Sequence, residues 1–332
     1  MAKKRIAIVA GGDSSEIGVS LKSAEGIYSF LNKDKYEPYI VILNRSGWKV
    51  QLPQAGGKTK ETPIDKNDFS FREGEEIKHF ALAYITIHGT PGENGLLQGY
   101  FELINLPYSS AGVLTSALTF DKYACNHYLQ NFGVRISDSV RLEKGAAYSE
   151  KELLGRLGLP LFVKPNAGGS SFGISKVHAA GELPAAIRKA FAEDKEILLE
   201  RFIAGTEVTC GCYCTRGKQV VFPPSEVISQ HEFFDFDAKY NGASEEITPA
   251  RLPADTLRQI QQLTLQIYAW LRAKGLIRVD YILDAEGRPT LLEVNTTPGM
   301  TSASFIPQQV RAAGLDMGEV LSDIIENELE DD

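Results

Sequence analysis

The sequence predicts an α/β protein that opens on a parallel, helix-covered sheet and continues into a second, largely antiparallel sheet. Three observations carry this. The apolar run Arg5 to Ala10 is followed by a helical pattern and a second run, Tyr36 to Leu43, the β-α-β order of a parallel sheet. Later runs such as ALAYITI, Ala81 to Ile87, are strand-sized, and none approaches the roughly 18 residues of a membrane span. Thr206 to Cys214, Gln219 to Phe222 and Glu226 to Ser229 then follow one another closely, as antiparallel strands do.

The elements follow in order. GGDSSE makes a tight loop after the first strand, and a helix runs to about Asn32 with Ala24, Ile27, Tyr28 and Leu31 at helical spacing. Gly47 to about Lys78 is polar, with Gly, Pro and charges, and reads as a surface excursion. The strand Ala81 to Ile87 ends in HGTPGENG, a glycine-rich loop where strand C-termini gather ligands. A helix over Leu96 to Ile104 and a short strand before Ser109 complete this part. Thr115 to Phe132 reads as one helix, Leu159 to Val163 as a strand, Glu182 to Ala192 as a helix and Glu196 to Phe202 as a strand. Glu232 to Pro249 is polar and reads as a mobile loop, Asp255 to Lys274 as an amphipathic helix, and Gly275 to Asn295 as a hairpin. Two helices close the chain, the first over Ile306 to Ala313.

Composition sets limits. The chain has 332 residues, 43% apolar and 23% charged, which excludes wholesale disorder. That length predicts about two or three domains. Lys and Arg number 35 against 43 Asp and Glu, a net charge of −8 that disfavours nucleic acid as partner. The start, MAKKRIAIVAGG, imitates a signal peptide, but Ile6 to Ala10 is shorter than the roughly 7 residues an h-region needs. It reads as a buried strand of a cytosolic protein. Cys210, Cys212 and Cys214 alternate along one strand face, which favours a buried strand over zinc ligands spaced C-x₂₋₄-C. Cysteine usage suits a reducing compartment.

The strongest chemistry lies in GLIRVDYILDAEGRPTLLEVNTTPGM. Simple closure at Asp284-Ala285-Glu286-Gly287 sets Leu283 against Arg288 and Arg278 against Glu293. Alternation then puts Ile277, Val279, Tyr281, Leu283, Leu292 and Val294 on a packing face, and Arg278, Asp280, Glu293 and Asn295 on the other. Two carboxylates and an amide oxygen suit Mg²⁺ held with substrate phosphates. A solvated strand face with an Arg–Glu pair is the plainer alternative, weakened because the cluster runs into the small-residue loop NTTPG. Neither a P-loop nor a G-x-G-x-x-G motif is present. Lys164 stands at a strand end before NAGGSSFG, whose N–H groups and hydroxyls suit an anion and whose flexibility suits a lid. Lys122 and Lys239 are further candidate phosphate contacts. Glu16 either completes a capping box with Asp13 as N-cap or presents its carboxylate to a substrate ammonium. Glu207, at a strand start, has the plain reading of an exposed strand-end acid.

GGDSSE, HGTPGENGLLQG, Asp121-Lys122, KPNAGGSSFGIS, Glu200 to Glu207, Ala238-Lys239-Tyr240, Arg278-Val279-Asp280 and LLEVNTTPGMTSAS occur in this order over almost the whole chain. With these segments the sequence resembles the D-alanine–D-alanine ligases of the ATP-grasp superfamily. The resemblance implies three domains: 1–112, a Rossmann-like parallel-sheet domain for the first substrate and dimerisation; 113–204, a central ATP-grasp subdomain; and 205–332, a C-terminal ATP-grasp domain with the Mg²⁺ and oxyanion residues. The two α+β domains sandwich ATP. The implied reaction phosphorylates one D-alanine carboxylate and lets the amine of a second D-alanine attack the acyl phosphate, yielding the dipeptide for peptidoglycan.

Residue by residue, the resemblance places Lys122, Lys164, Ser170, Ser171 and Lys239 at the ATP phosphates or the loops over them. Glu200 and Arg201 fall at the adenine and Glu207 at the ribose. Asp280, Glu293 and Asn295 match ligands of Mg²⁺, two ions, with Mn²⁺ able to substitute. Glu16 matches the residue on the first D-alanine's ammonium, with His88 and Glu93 at the floor of that subsite. Arg278 and the Gly299 N–H match the oxyanion site, and Ser304 the second substrate's carboxylate. Ser170 and Tyr240 match partners linking two loops to Glu16. A cytoplasmic homodimer with no membrane or nucleic-acid partner is implied. A D-alanine–D-lactate ligase is the runner-up, disfavoured by Tyr240; another ATP-grasp carboxylate–amine ligase is a wider alternative. A catalytically dead nucleotide binder should lack one of Arg278, Asp280, Glu293 and Asn295, and all are present. Ile17, Phe172 and Arg201 depart from the family pattern, and the 47–78 excursion has no assigned role.

Overall fold

Ile6 to Ala10 are fully buried, as an apolar run without alternation requires, and their strand sits between two parallel neighbours. The computed structural model describes residues 3–54, 59–169, 172–229 and 244–330. The first sheet is built from β1 (Lys4–Gly11), α1 (Ile17–Phe30), β2 (Tyr36–Asn44), β3 (Gly47–Pro53) and β4 (Thr59–Pro63). A hairpin, β5 (Phe71–Glu73) and β6 (Glu76–Lys78), precedes β7 (Leu82–Ile85) and α2 (Leu96–Leu103). Strand order is β4-β3-β2-β1-β7, and β1 is parallel to both β2 and β7. The strand expected before Ser109 is a single bridge, Ala83 to Tyr108. Alternation along β1 divides its side chains. Ile6, Ile8 and Ala10 pack with α1, and Ala7 and Val9 face an aromatic core.

The 47–78 segment is not a surface excursion. Its strands β3 and β4 extend the sheet in antiparallel fashion, and Val50, Leu52, Ile64, Phe69 and Phe71 are buried against Tyr39, Phe80 and Phe101. The apolar residues are few but spaced by two, Val50 with Leu52 and Phe69 with Phe71. Average composition hides such a pattern.

The expected helix 115–132 is two helices, α3 (Val113–Phe120) and α4 (Lys122–Gln130). Asp121 breaks it: its carboxylate accepts the Ala124 N–H at 2.8 Å and caps α4. Lys122 thereby becomes the first residue of α4. An antiparallel sheet follows, from β8 (Ser139–Glu143), α5 (Glu150–Leu157), β9 (Leu161–Pro165), β10 (Ser175–Val177), α6 (Leu183–Glu193) and β11 (Glu196–Arg201), in the order β10-β9-β11-β8. Of these, β8, α5 and β10 were not expected from the pattern.

The third sheet holds β12 (Thr206–Thr215), β13 (Lys218–Val221), β14 (Ser225–Ser229), β15 (Ser244–Ile247), β16 (Leu276–Leu283) and β17 (Pro289–Asn295). Its order is β15-β14-β12-β16-β17, with β13 on β12. In the segment expected as a loop, 244–247 is strand β15, and 230–243 lie outside the described residues. Helix α7 (Ala254–Trp270) covers this sheet, and Cys210 and Cys212 lie buried in their shared core. Burial pushes the Cys210 thiol up to about 12. Helices α8 (Phe305–Ala312) and α9 (Met317–Leu329) close the chain. Ile306, Val310, Ile324 and Ile325 share one core with Ile6, Ile8 and Ile27, so the first and third sheets are joined by apolar packing. Among the described residues no helix is long and apolar enough to cross a membrane.

Candidate active site

The β16–β17 hairpin closes one residue later than simple closure predicts: Leu283 pairs with Pro289, not Arg288. The Asp284 carboxylate holds the longer turn by accepting the N–H groups of Glu286 at 3.1 Å and Arg288 at 2.9 Å. A second shift follows between Asp280 and Tyr281. Tyr281 pairs with Leu291 and Asp280 with Glu293, so Leu292 is the extra residue of a bulge. Arg278 therefore faces Asn295 rather than Glu293. The two one-residue corrections sum to an even step, so the four polar residues still share a face. Leu292 leaves the packing face for the cleft, and Leu291 fills the core in its place.

The bulge puts two carboxylates side by side, and each is held. Arg278 donates to both oxygens of Asp280, at 2.8 and 2.7 Å, and Thr209 Oγ1 donates to Oδ1 at 2.6 Å. Thr209 stands opposite Asp280 on β12. Glu293 lies 3.2 Å from the Lys122 ammonium, which also donates to the Gly168 carbonyl. Across the cleft, Lys164 on β9 meets Glu200 on β11 at 2.6 Å. Of these ion-paired groups Lys122, Lys164, Glu200 and Asp280 are buried, as paired charges can be, and Arg278 and Glu293 are partly buried. Burial pulls the Lys122 ammonium down, but Glu293, Glu93 and Glu16 outweigh it and raise it above its ordinary value.

This donor set fits a hard dication. A carboxylate accepts at about four lone-pair sites. Asp280 uses three of them on Arg278 and Thr209, leaving one. Asn295 Oδ1 accepts the Thr297 N–H at 2.8 Å and keeps its second lone pair for another partner of the amide.

Glu16 caps α1 by position but makes no side-chain cap bond, and Asp13 accepts the Arg45 N–H at 2.9 Å instead. The capping box is not formed. The Glu16 carboxylate is buried under the KPNAGG loop: a Cβ on Gly169 would lie 2.8 Å from its Oε1, so a side chain there would push the carboxylate aside. Glu93 accepts the Gly89 N–H at 2.6 Å, and burial together with Glu16 raises its carboxyl well above the usual range. Ser304 caps α8 by position; its Oγ accepts the Thr301 N–H at 3.1 Å. Gly299 lies beside it. Arg201 reaches the cleft wall, yet its guanidinium donates to the Arg156 carbonyl at 2.7 Å and sits 3.7 Å from Asp138.

One cleft of about 970 Å³ between the three sheets gathers these groups. Glu16, His88, Glu93, Lys122, Lys164, Glu200, Arg201, Glu207, Arg278, Asp280, Glu293, Asn295, Gly299 and Ser304 all line it. Ser170, Ser171, Lys239 and Tyr240 lie outside the described residues. Residues 5–111 match the family described as D-ala D-ala ligase N-terminus, and 128–326 the family described as D-ala D-ala ligase C-terminus.

The chain belongs to the D-alanine–D-alanine ligase family. A D-alanine–D-alanine ligase of Parabacteroides distasonis is 63% identical over 327 residues, 98% of each chain. Among solved structures, the VanG D-Ala:D-Ser ligase of Enterococcus faecalis superposes with a TM-score of 0.86 at 32% identity, over 98% of this chain and 100% of that one. A Bacillus anthracis D-alanine–D-alanine ligase complexed with ATP gives 0.77 at 30% identity, over 98% of both.

In this family member several cleft residues were missed from the sequence. Phe162, Ile174, Phe202, Ile282 and Leu292 form apolar wall. Ile282 was within reach, because alternation puts it on the face of Arg278 and Asp280. Leu292 needs the bulge and Thr209 the pairing of β12 with β16, and neither has a local signal.

His88 is buried, and burial with the nearby Arg278 charge lowers it to about 4. Above its ordinary value of 6.5 the ring is neutral folded or unfolded. Below that, the unfolded chain takes up a proton that the folded chain refuses, so stability falls as pH drops from 6.5 toward about 4. The loss amounts to about 3 kcal/mol. Denaturant unfolding of His88→Gln should lack that part of the acid dependence, and identical pH curves for the two proteins would refute it.

Proposed function

We propose that this chain is an ATP-dependent D-alanine–D-alanine ligase that makes D-alanyl-D-alanine for peptidoglycan precursors. The supporting observation is the single cleft that gathers Glu16 from the first sheet's loop with Lys122, Lys164, Asp280, Glu293 and Asn295 from the other two.

In this reading Glu16 holds the ammonium of the first D-alanine, over a floor that includes His88 and Glu93. Lys122 and Lys164, each paired here with a carboxylate, turn to the ATP phosphates together with Lys239. Glu207 takes the ribose, Glu200 and Arg201 the base, and Ser170, Ser171 and Tyr240 close the loops over the site. Asp280, Glu293 and Asn295 would hold Mg²⁺, two ions, or Mn²⁺ in their place, which would supply positive charge against that of the moving phosphoryl group. A carboxylate oxygen of the first D-alanine attacks the γ-phosphorus, and the bond to ADP breaks. The amine of the second D-alanine, its carboxylate held by Ser304, then attacks the acyl carbon. Negative charge collects on the carbonyl oxygen, and in this reading Arg278 and the Gly299 N–H receive it. The C–O bond to phosphate breaks, the amine's proton leaves with the phosphate, and the peptide bond remains.

The division into domains 1–112, 113–204 and 205–332 is supported by one main sheet in each range. A cytoplasmic homodimer joined through the first domain completes the proposal. The test is phosphate release from ATP and Mg²⁺ with D-alanine, run beside L-alanine and beside D-alanine with D-lactate or D-serine. Release with D-alanine alone and recovery of the dipeptide are expected. Release only with another second substrate would overturn the named product, and no release would overturn the ligase. Glu16→Gln should raise the KM for D-alanine about tenfold or more with that for ATP unchanged. Equal effects on both would remove Glu16 from the first subsite.

A further inference from the structure

Ser23 lies inside α1 and is fully buried. A serine within a helix commonly bonds back to the carbonyl one turn earlier. The Ser23 hydroxyl instead reaches two groups outside its helix. It accepts the N–H of Met300 at 3.2 Å and meets Nε2 of His88 at 3.4 Å. One oxygen thus joins α1, the loop after β7 and the Gly299–Met300 peptide.

The proton count orients this network. A hydroxyl has one proton and two lone pairs. Met300 occupies one lone pair. If His88 Nε2 also donated, the serine proton would be buried with no acceptor among the described residues, a costly arrangement. If the serine donates to Nε2, the hydroxyl proton and Nε2 are both satisfied, and the one group left over is the ring's other nitrogen, which is not among the fully buried unpartnered atoms. Nε2 is then bare, and the neutral ring carries its proton on Nδ1. Among the described residues no partner occupies Nδ1, and His88 lines the cleft with Glu16. A donor there attracts the carboxylate of an amino acid whose ammonium sits on Glu16. The opposite tautomer would present a lone pair and repel it.

We propose that Ser23 is a positioning residue that fixes His88 as its Nδ1–H tautomer, aims that N–H at the first substrate's carboxylate, and holds the Gly299–Met300 peptide beside it. The proposal rests on the ligase reading above for the identity of the substrate.

The first measurement needs no variant. Long-range ¹H–¹⁵N spectra of the full chain, labelled with ¹⁵N-histidine, resolve the 5 histidines, and His88→Gln assigns the signal. A protonated Nδ1 and a bare Nε2 on His88 are expected; a protonated Nε2 would overturn the proposal. Folded Ser23→Ala should lose the single tautomer and raise the KM for D-alanine about tenfold, with the KM for ATP unchanged. Ser23→Thr, which keeps the hydroxyl, should restore both. An unchanged D-alanine KM in folded Ser23→Ala would overturn it. Failure of the ligase reading is separate: a wild-type protein that makes no dipeptide refutes that reading, while the spectrum still decides between the tautomers. Dipeptide synthesis by a protein with a protonated Nε2 refutes the Ser23 proposal alone.

Discussion

Glu293→Gln is expected to lower ATP-dependent dipeptide synthesis by about 10³-fold or more, the scale on which one electrostatic contact to a phosphoryl transition state acts. The bulge at Leu292 turns Glu293 toward Asp280, and its carboxylate faces the Lys122 ammonium. Glutamine keeps the volume and removes the charge. The fold should survive, because Lys122 keeps the Gly168 carbonyl and the nearby Glu16 and Glu93 charges. A stability loss of about 1–2 kcal/mol is expected, below the roughly 3–5 kcal/mol of an ion left wholly unpaired. Phosphate release and thermal unfolding separate the two effects. Near-normal turnover would remove Glu293 from the metal set, and lost turnover in an unfolded variant would leave only a structural role.

Gly26→Ala should destabilise the protein although it improves helix propensity. In an isolated helix the change gains about 1 kcal/mol. Here the new Cβ would lie 2.1 Å from the Met300 carbonyl oxygen, a backbone atom that cannot rotate away. Overpacking of this kind costs about 1–3 kcal/mol or more. A net loss of about 2 kcal/mol and a Tm lower by about 3 °C are expected. Because α1 and the loop must move apart, dipeptide synthesis should fall as well, through the Gly299–Met300 peptide that Ser23 holds. A Tm raised by the substitution would show that the helix and loop are not in close contact in solution.

The polar face of the hairpin was readable because alternation is local. Arg278, Asp280, Glu293 and Asn295 share that face whatever the turn length, so long as the corrections add to an even number. Their pairing was not readable, because it depends on a five-residue turn and a bulge. The break at Asp121 carried its own signal, an N-cap residue within a helical pattern. The apolar spacing continues on either side and masks it. Glu16 had two readings, and only the observed Asp13–Arg45 contact removes the capping box.

By itself the sequence determined the class of fold, the buried strands of the first sheet, a long amphipathic helix that the structure ends at Trp270 rather than Lys274, and the polar residues of the hairpin face. These are properties of a window of a few residues: period, run length and the chemistry of short motifs. The tertiary structure alone decided that Glu293 meets Lys122, that Lys164 meets Glu200, that Thr209 holds Asp280, and that Ser23 joins His88 to Met300. Each partner stands on a different strand, helix or loop. Their meeting is set by strand register and by how the sheets and α1 pack, and no local pattern encodes the distance between side chains so far apart along the chain.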